Sequence, residues 1–217
     1  MGEKLEEISD SLETDVENNG QIQLDRINQD LVGEAMGMLK PNKCDTMFDT
    51  MSDFYANGPQ ELVIHLTALL KLFFSHGTLP FSILICTLIP LVKDNLGDIT
   101  AADNYRATAG DCLLLKLIHL LILLLEGNKL GCDALQFGYQ AKSSTTMCTW
   151  TVTSIIDYYN RNGRPVYACA MDMSKAFDML EWGELFATLR EKKIHPIFLS
   201  LLLTIYRNQQ GSIPTDF

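Results

Sequence analysis

Basic residues are scarce in this chain: 17 Lys and Arg stand against 27 Asp and Glu, a net charge of −10. Phosphate contacts need locally dense Lys and Arg, so the composition weighs against a broad electrostatic surface for nucleic acid. The deficit is uneven. Residues 1–30 hold nine acids against Lys4 and Arg26, leaving the remainder only three charges negative. Such a head is expected to be a solvated tail or an exposed helix, disordered or loosely helical. It also has none of the apolar core of a secretory leader.

Paired cysteines are missing as well. Cys44, Cys86, Cys112, Cys132, Cys148 and Cys169 lie apart with no C-x-x-C spacing, and four of them fall in apolar stretches. That pattern favours reduced, buried thiols over disulfides or zinc and points to an intracellular protein, cytoplasmic or nuclear and not secreted. His65, His76, His119 and His195 are isolated from those cysteines and read as surface or core residues. No hydrophobic run is long enough to cross a bilayer. Leu113–Leu125 is interrupted by Lys116 and His119, and a span needs about 20 residues. A helix buried in a protein core, with no membrane partner, is the expectation. No Walker loop, Gly-rich dinucleotide turn or Ser-His-Asp arrangement is present. A haloacid-type phosphatase would need a second aspartate where Ser174 stands.

What is present is a globular, helix-rich pattern, 47% apolar. Pro59 suits the first position of a helix in which Leu62, Leu66, Leu69, Leu70 and Phe73 recur at helical spacing, with Gly77 to end it. Ile83–Val92 is β-branched and apolar, a strand in which Pro90 marks an edge or bulge. Asp111 is placed to cap a helix through Leu125, and Ser143 and Ser144 to precede another, with Cys148, Val152, Ile155 and Tyr159 on one face and Asn162-Gly163 at its end. A second strand is expected over Val166–Met171. Two more helices follow, from about Met179 to Lys192 and from Pro196, and residues 211–217 show no periodicity. The class is α+β with few strands for a self-sufficient sheet.

Three segments carry candidate chemistry. Asp172 closes the expected strand in Met171-Asp172-Met173-Ser174-Lys175-Ala176-Phe177-Asp178. A carboxylate there suits a hard oxygen-seeking cation, although an aspartate that simply ends a strand is equally common. Asp178 stands three residues before Glu181, the spacing of a helix capping box, and that structural role competes with any functional one. Lys93 and Arg106 flank a polar loop and would lie near the base or tip of a hairpin, where two cations can clamp a phosphate, or simply be solvated. Gly138, between Phe137 and Tyr139 in Leu135-Gln136-Phe137-Gly138-Tyr139-Gln140, suggests a tight bend or a close backbone approach.

The order of five segments is more specific than any one of them. Leu88-Ile89-Pro90-Leu91-Val92-Lys93-Asp94, Asn104-Tyr105-Arg106-Ala107, Leu135-Gln136-Phe137-Gly138-Tyr139, Ser143-Ser144-Thr145-Thr146 and Met171–Asp178 strongly resemble the reverse transcriptase of non-LTR (LINE-type) retrotransposons, from about Leu31 to Gln210. The resemblance implies the helix-rich fingers and partial palm of a right-hand polymerase, with an incomplete sheet. Residues 1–30 would precede it, 31–164 would be fingers-like, 165–210 the start of the palm, and 211–217 an unstructured tail. It implies that Lys93 and Arg106 contact the nucleotide triphosphate. Gln136, Phe137 and Gly138 would lie near the template. Asp172 would be a catalytic, magnesium-binding carboxylate, and Phe177 an aromatic gate that excludes a ribose 2′-hydroxyl by clash. Partners would be an RNA template and a DNA primer, with no small-molecule cofactor beyond the nucleotide.

The departures from the family pattern bear on activity. Its later Gly-rich segment and its hairpin with two adjacent aspartates have no counterpart here, so two of the three metal-site carboxylates are missing. Ala107-Thr108, Gly110-Asp111-Cys112 and Pro41-Asn42-Lys43 also differ from the usual residues. The expectation is a fragment of an RNA-directed DNA polymerase, whose two-metal nucleotidyl transfer is inactive in this chain. The alternatives are a non-catalytic RNA- or partner-binding module and a fossil reading frame. The strand at 166–171 would have an unpaired edge, and the apolar faces of Leu113–Leu125 and Phe198–Leu203 would lack cover.

Overall fold

The computed structural model describes residues 2–45, 48–140, 142–173, 176–177 and 179–213. In chain order they form helices α1 (Gly2–Arg26), α2 (Gln29–Gly37), α3 (Ser52–Ala56) and α4 (Gln60–His76), then strands β1 (Ile85–Val92) and β2 (Tyr105–Gly110). Helices α5 (Leu113–Glu126), α6 (Thr145–Arg161), α7 (Trp182–Glu191) and α8 (Pro196–Asn208) and strand β3 (Gln210–Ser212) follow. The class is α+β. Two compact units are present: Met1–Lys129 with Glu181–Phe217, and Leu130–Leu180. Among the described residues no helix is long and apolar enough to cross a membrane.

Helix α5 dictates the first unit because it is apolar on nearly every side. Leu113, Leu115, Leu117, Ile118, Leu121, Ile122 and Leu125 are all buried, and a helix apolar all round is stable only when surrounded. Helix α2 packs on it. Helix α8 is the second centre. It contacts α1, α4 and α7, and Phe198 meets Phe74 of α4 edge-on at 5.3 Å. Thus most of the apolar surface expected to lack cover, that of Leu113–Leu125 and Phe198–Leu203, is buried, Leu123 being the exposed exception. The cover comes from helices distant in sequence, which local periodicity does not reveal.

The acidic head is a helix with one face committed. Ile8 and Leu12 of α1 are buried. Arginines from two later helices hold it: Arg207 donates to Leu5 O and Ser9 Oγ, and Arg190 donates to Ser11 Oγ and lies 3.6 Å from Asp15.

Local signals place several ends as expected. Gly77 takes the left-handed conformation (φ +61°) that closes α4, and Pro196 opens α8. Ser144 caps α6 by accepting from Met147 N–H. Others differ. Helix α5 is capped by Cys112, whose Sγ accepts from Leu115 N–H, and its Leu113 N–H goes to the buried Asp45 carboxylate at 2.7 Å. Asp111 instead accepts from Gln209 Nε2 at 2.7 Å. Helix α7 begins three residues later than expected, with Glu181 as its N-cap and no side-chain capping bond. Glu181 therefore cannot be the third residue of a capping box, and Asp178 lies outside the described residues.

The sheet has the order β2-β1-β3. Strands β1 and β2 form the expected antiparallel hairpin. Lys93 N donates to Asn104 O, so by the alternation of the ladder the nitrogen of Pro90 faces the other edge of β1, where no donor is required. Gln210, with Gly211 and Ser212 from the head of the stretch expected to be an aperiodic tail, pairs in parallel with Ile85–Thr87. There Leu88 lies so close to Gly211 that a Cβ would fall 2.5 Å from it. Val166–Met171 is not a strand: its backbone is irregular, and every residue but Val166 is exposed. An apolar run becomes a strand only by pairing, and among the described residues no strand pairs with it.

One buried charge joins the helix ends of the first unit. Glu126, the last residue of α5, is 1% exposed. Its carboxylate meets Arg26 at 3.3 Å and Lys129 at 2.6 Å and accepts from His195 N–H. Glu126→Gln is expected to cost about 1–2 kcal/mol, since the half-exposed cations left behind can hydrate. Arg26→Ala combined with Lys129→Ala removes both cations and leaves the carboxylate the His195 N–H, which should cost about 3–5 kcal/mol. Urea unfolding of the two variants measures the order.

Candidate functional site

The β1–β2 hairpin presents the two cations expected at a phosphate. Its register sets Leu91 opposite Arg106 and continues to Lys93 opposite Asn104. Lys93 and Arg106 therefore share one face, diagonal to each other. The loop between them is stapled by Asn104. Its Oδ1 accepts from Asp94 N, and its Nδ2 donates to Asp94 O and Asp98 O. Asp98 accepts from both the N–H and hydroxyl of Thr100, and those bonds hold its carboxyl below the usual range. Arg106 is exposed, while Lys93 Nζ already donates to Asp103 O at 2.6 Å. With Asp94, Asp98 and Asp103 in the same hairpin, the local field is weak for a polyanion.

The remaining expected residues belong to the second unit. Gln136 lies in a turn in which Asp133 accepts from Leu135 N and Gln136 N. Gln136 Nε2 reaches Gly138 O at 3.3 Å. Phe137 is half-buried and Gly138 exposed. The bend expected of Gly138 is taken by its neighbours, since Tyr139 (φ +58°) and Lys142 (φ +63°) occupy the left-handed region. A Cβ on Gly138 would touch only Gln136 Nε2, at an ordinary 3.5 Å. The Phe177 ring meets Tyr139 edge-on at 6.5 Å. The unit thus brings the Gln136-Phe137-Gly138 turn beside Phe177.

Asp172 is exposed and sits in the irregular segment, not at a strand end. Magnesium takes oxygen ligands in near-octahedral array. Among the described residues no three His, Cys, Asp or Glu side chains converge on one point. A single exposed carboxylate does not make a magnesium site, so the donor set here does not fit the ion. The cysteines are free, but only Cys86 and Cys112 are buried, where burial raises both thiol pKa values. The expectation of mostly buried thiols fails because Cys132, Cys148 and Cys169 lie in the thinly packed second unit. No protein-family model and no curated protein matches this chain.

Charge patterning missed one feature of the first unit. Three lysines, Lys40, Lys43 and Lys116, rim a groove between the C-terminal end of α2 and α5. They are 40 to 116 residues along the chain, and only folding collects them. Half-buried His119 lines the same groove, and burial pushes its imidazole pKa down, with Asp111 opposing. His195 is lowered in the same way by burial, against the pull of Glu126 and with help from Lys129 and Arg26. Both groups therefore bind protons more readily in the unfolded chain. Their stabilisation is complete above the ordinary imidazole range and is lost as pH falls through it and through their lower folded values. Unfolding free energy should fall between about pH 7 and pH 5, and His119→Gln should flatten that slope, as read by urea titrations at each pH.

Proposed function

We propose that this chain carries the fingers and the opening of the palm of a non-LTR (LINE-type) reverse transcriptase. An RNA template and a DNA primer would be its nucleic-acid partners. The single observation that carries this reading is the order and spacing of the five sequence segments from Leu88 to Asp178. Two structural features support it. Lys93 and Arg106 lie on one face of a stapled hairpin, as a triphosphate clamp requires. The Gln136-Phe137-Gly138 turn lies beside Phe177 through Tyr139, as a template-side segment next to a sugar-sensing ring requires.

Two-metal nucleotidyl transfer needs carboxylates converging on both ions, and Asp172 is one. The 217-residue chain by itself is therefore proposed to be inactive. The contribution left to its own residues is positioning: Arg106 offers two parallel N–H donors to a phosphate, and the Phe177 ring offers bulk against a 2′-hydroxyl.

A non-catalytic RNA- or partner-binding module is the second reading, favoured by α6. None of its residues is buried, and Val152, Ile155 and Tyr158 expose apolar surface.

Primer extension on an RNA template with magnesium or manganese should give no product. Processive product that Asp172→Ala abolishes would overturn the proposed inactivity. Binding to an RNA–DNA primer–template should weaken with salt and about tenfold on Arg106→Ala, the loss of one charge-assisted contact. No binding at low salt would remove both nucleic-acid readings.

A further inference from the structure

We propose that the groove between α2 and α5 binds a single-chain amphiphilic anion, a fatty-acid carboxylate, with the head among Lys40, Lys43 and Lys116 and the tail along α5. The groove has a volume of about 450 Å3, within the roughly 300–1,000 Å3 of small-molecule sites. Its floor is apolar: Leu39 and Leu113 are buried, and Leu120 is half-buried beside them. Positions 113, 116 and 120 repeat at helical spacing, so one face of α5 supplies both floor and cation. One turn beyond Leu120, Leu123 is 51% exposed and continues the apolar strip away from the lysines.

The cations are what make this more than an apolar groove. Among the described residues none of the three lysines has a salt bridge, although acids outnumber bases by ten in the chain. Lys116 is half-buried and lines the groove beside Leu113 and Leu120, where a long aliphatic stem can cover apolar surface and leave its ammonium for a counter-charge. A cationic end and an apolar strip side by side complement a ligand with one negative end and a hydrocarbon tail. A purely apolar ligand would leave the ammonium groups unpaired. A compact inorganic anion would leave the leucines wet. The groove shares no residue with the hairpin or with the segment of Asp172, and the inference does not depend on the polymerase reading.

The experiment is isothermal titration of the full chain with dodecanoate, below its micelle concentration. Dodecyltrimethylammonium, dodecyl phosphate and a short oligoribonucleotide serve as comparison probes. The expected result is saturable binding of one dodecanoate per chain, absent for the trimethylammonium of equal length. Lys40→Gln with Lys43→Gln, both exposed positions, should weaken it at least tenfold. Leu120→Glu should abolish it, with circular dichroism reporting whether each variant keeps its helices. Chemical shifts of Leu120 and His119 should move on titration of the unmodified chain, which tests the location without any variant. Equal binding of the cationic amphiphile, or dodecanoate affinity unchanged in the lysine variant, would overturn the proposal. So would an oligoribonucleotide that uses the same lysines while dodecanoate does not bind. Tighter binding of dodecyl phosphate than dodecanoate would overturn the carboxylate assignment.

Discussion

The carboxylate of Glu126 is the point on which the first unit turns. A buried charge is costly to desolvate, so it persists only where its partners are fixed. Here they come from three places. Arg26 ends α1, Lys129 follows α5, and the His195 N–H opens α8. Arg26 also donates to Leu125 O, beside Glu126 at the end of α5, and Lys129 to Lys193 O, just before His195, so the cations bind the backbone on both sides of the junction. Three helix ends are thereby set against one another. Apolar packing is non-directional and by itself tolerates small shifts of one helix along another. The charged cluster cannot slide without breaking bonds, and it supplies the register that hydrophobic packing leaves loose.

The same logic gives the acidic helix its place. Helix α1 carries much of the negative charge of the chain, yet its stripe of Ile8 and Leu12 is buried. Arg190 and Arg207 meet its polar flank on neighbouring turns. The scarcity of basic residues therefore has a structural side. Several of the few available cations are spent on internal acids and backbone carbonyls, and fewer are left for an external polyanion. The hairpin shows the pattern again, because Lys93 is held by the carbonyl of Asp103. Arg106 is the more available of the pair.

What was legible in the sequence was local. Gly77, Ser144 and Pro196 mark helix ends because each acts through its own backbone or the next turn. The β1–β2 hairpin was legible because its strands are close in sequence. What was not legible needed a distant partner. Asp45 caps α5 from 68 residues away, and nothing near Asp45 hints at that. Gly211 and Ser212 read as the start of an aperiodic tail, yet with Gln210 they form a strand because β1 offers an edge. Val166–Met171 reads as a strand and is not one, for the converse reason. Of the candidate site, the residue types were legible, but the surroundings of Asp172 were not. Its expected place at a strand end depended on that unformed strand. The lysine groove escaped notice because its cations are dispersed along the chain.

The first unit is built from two stretches of chain with residues 130–180 between them. Helix α1 packs on α8, so its main interface joins residues nearly the whole chain apart. Contacts of such separation carry a large loop-closure entropy and form late. During synthesis α1 precedes α8 by most of the chain, so its apolar stripe lacks its main cover until α8 follows. Like charges on the acidic flank of that stripe oppose the approach of a second copy, the physical condition for keeping an uncovered apolar face from association.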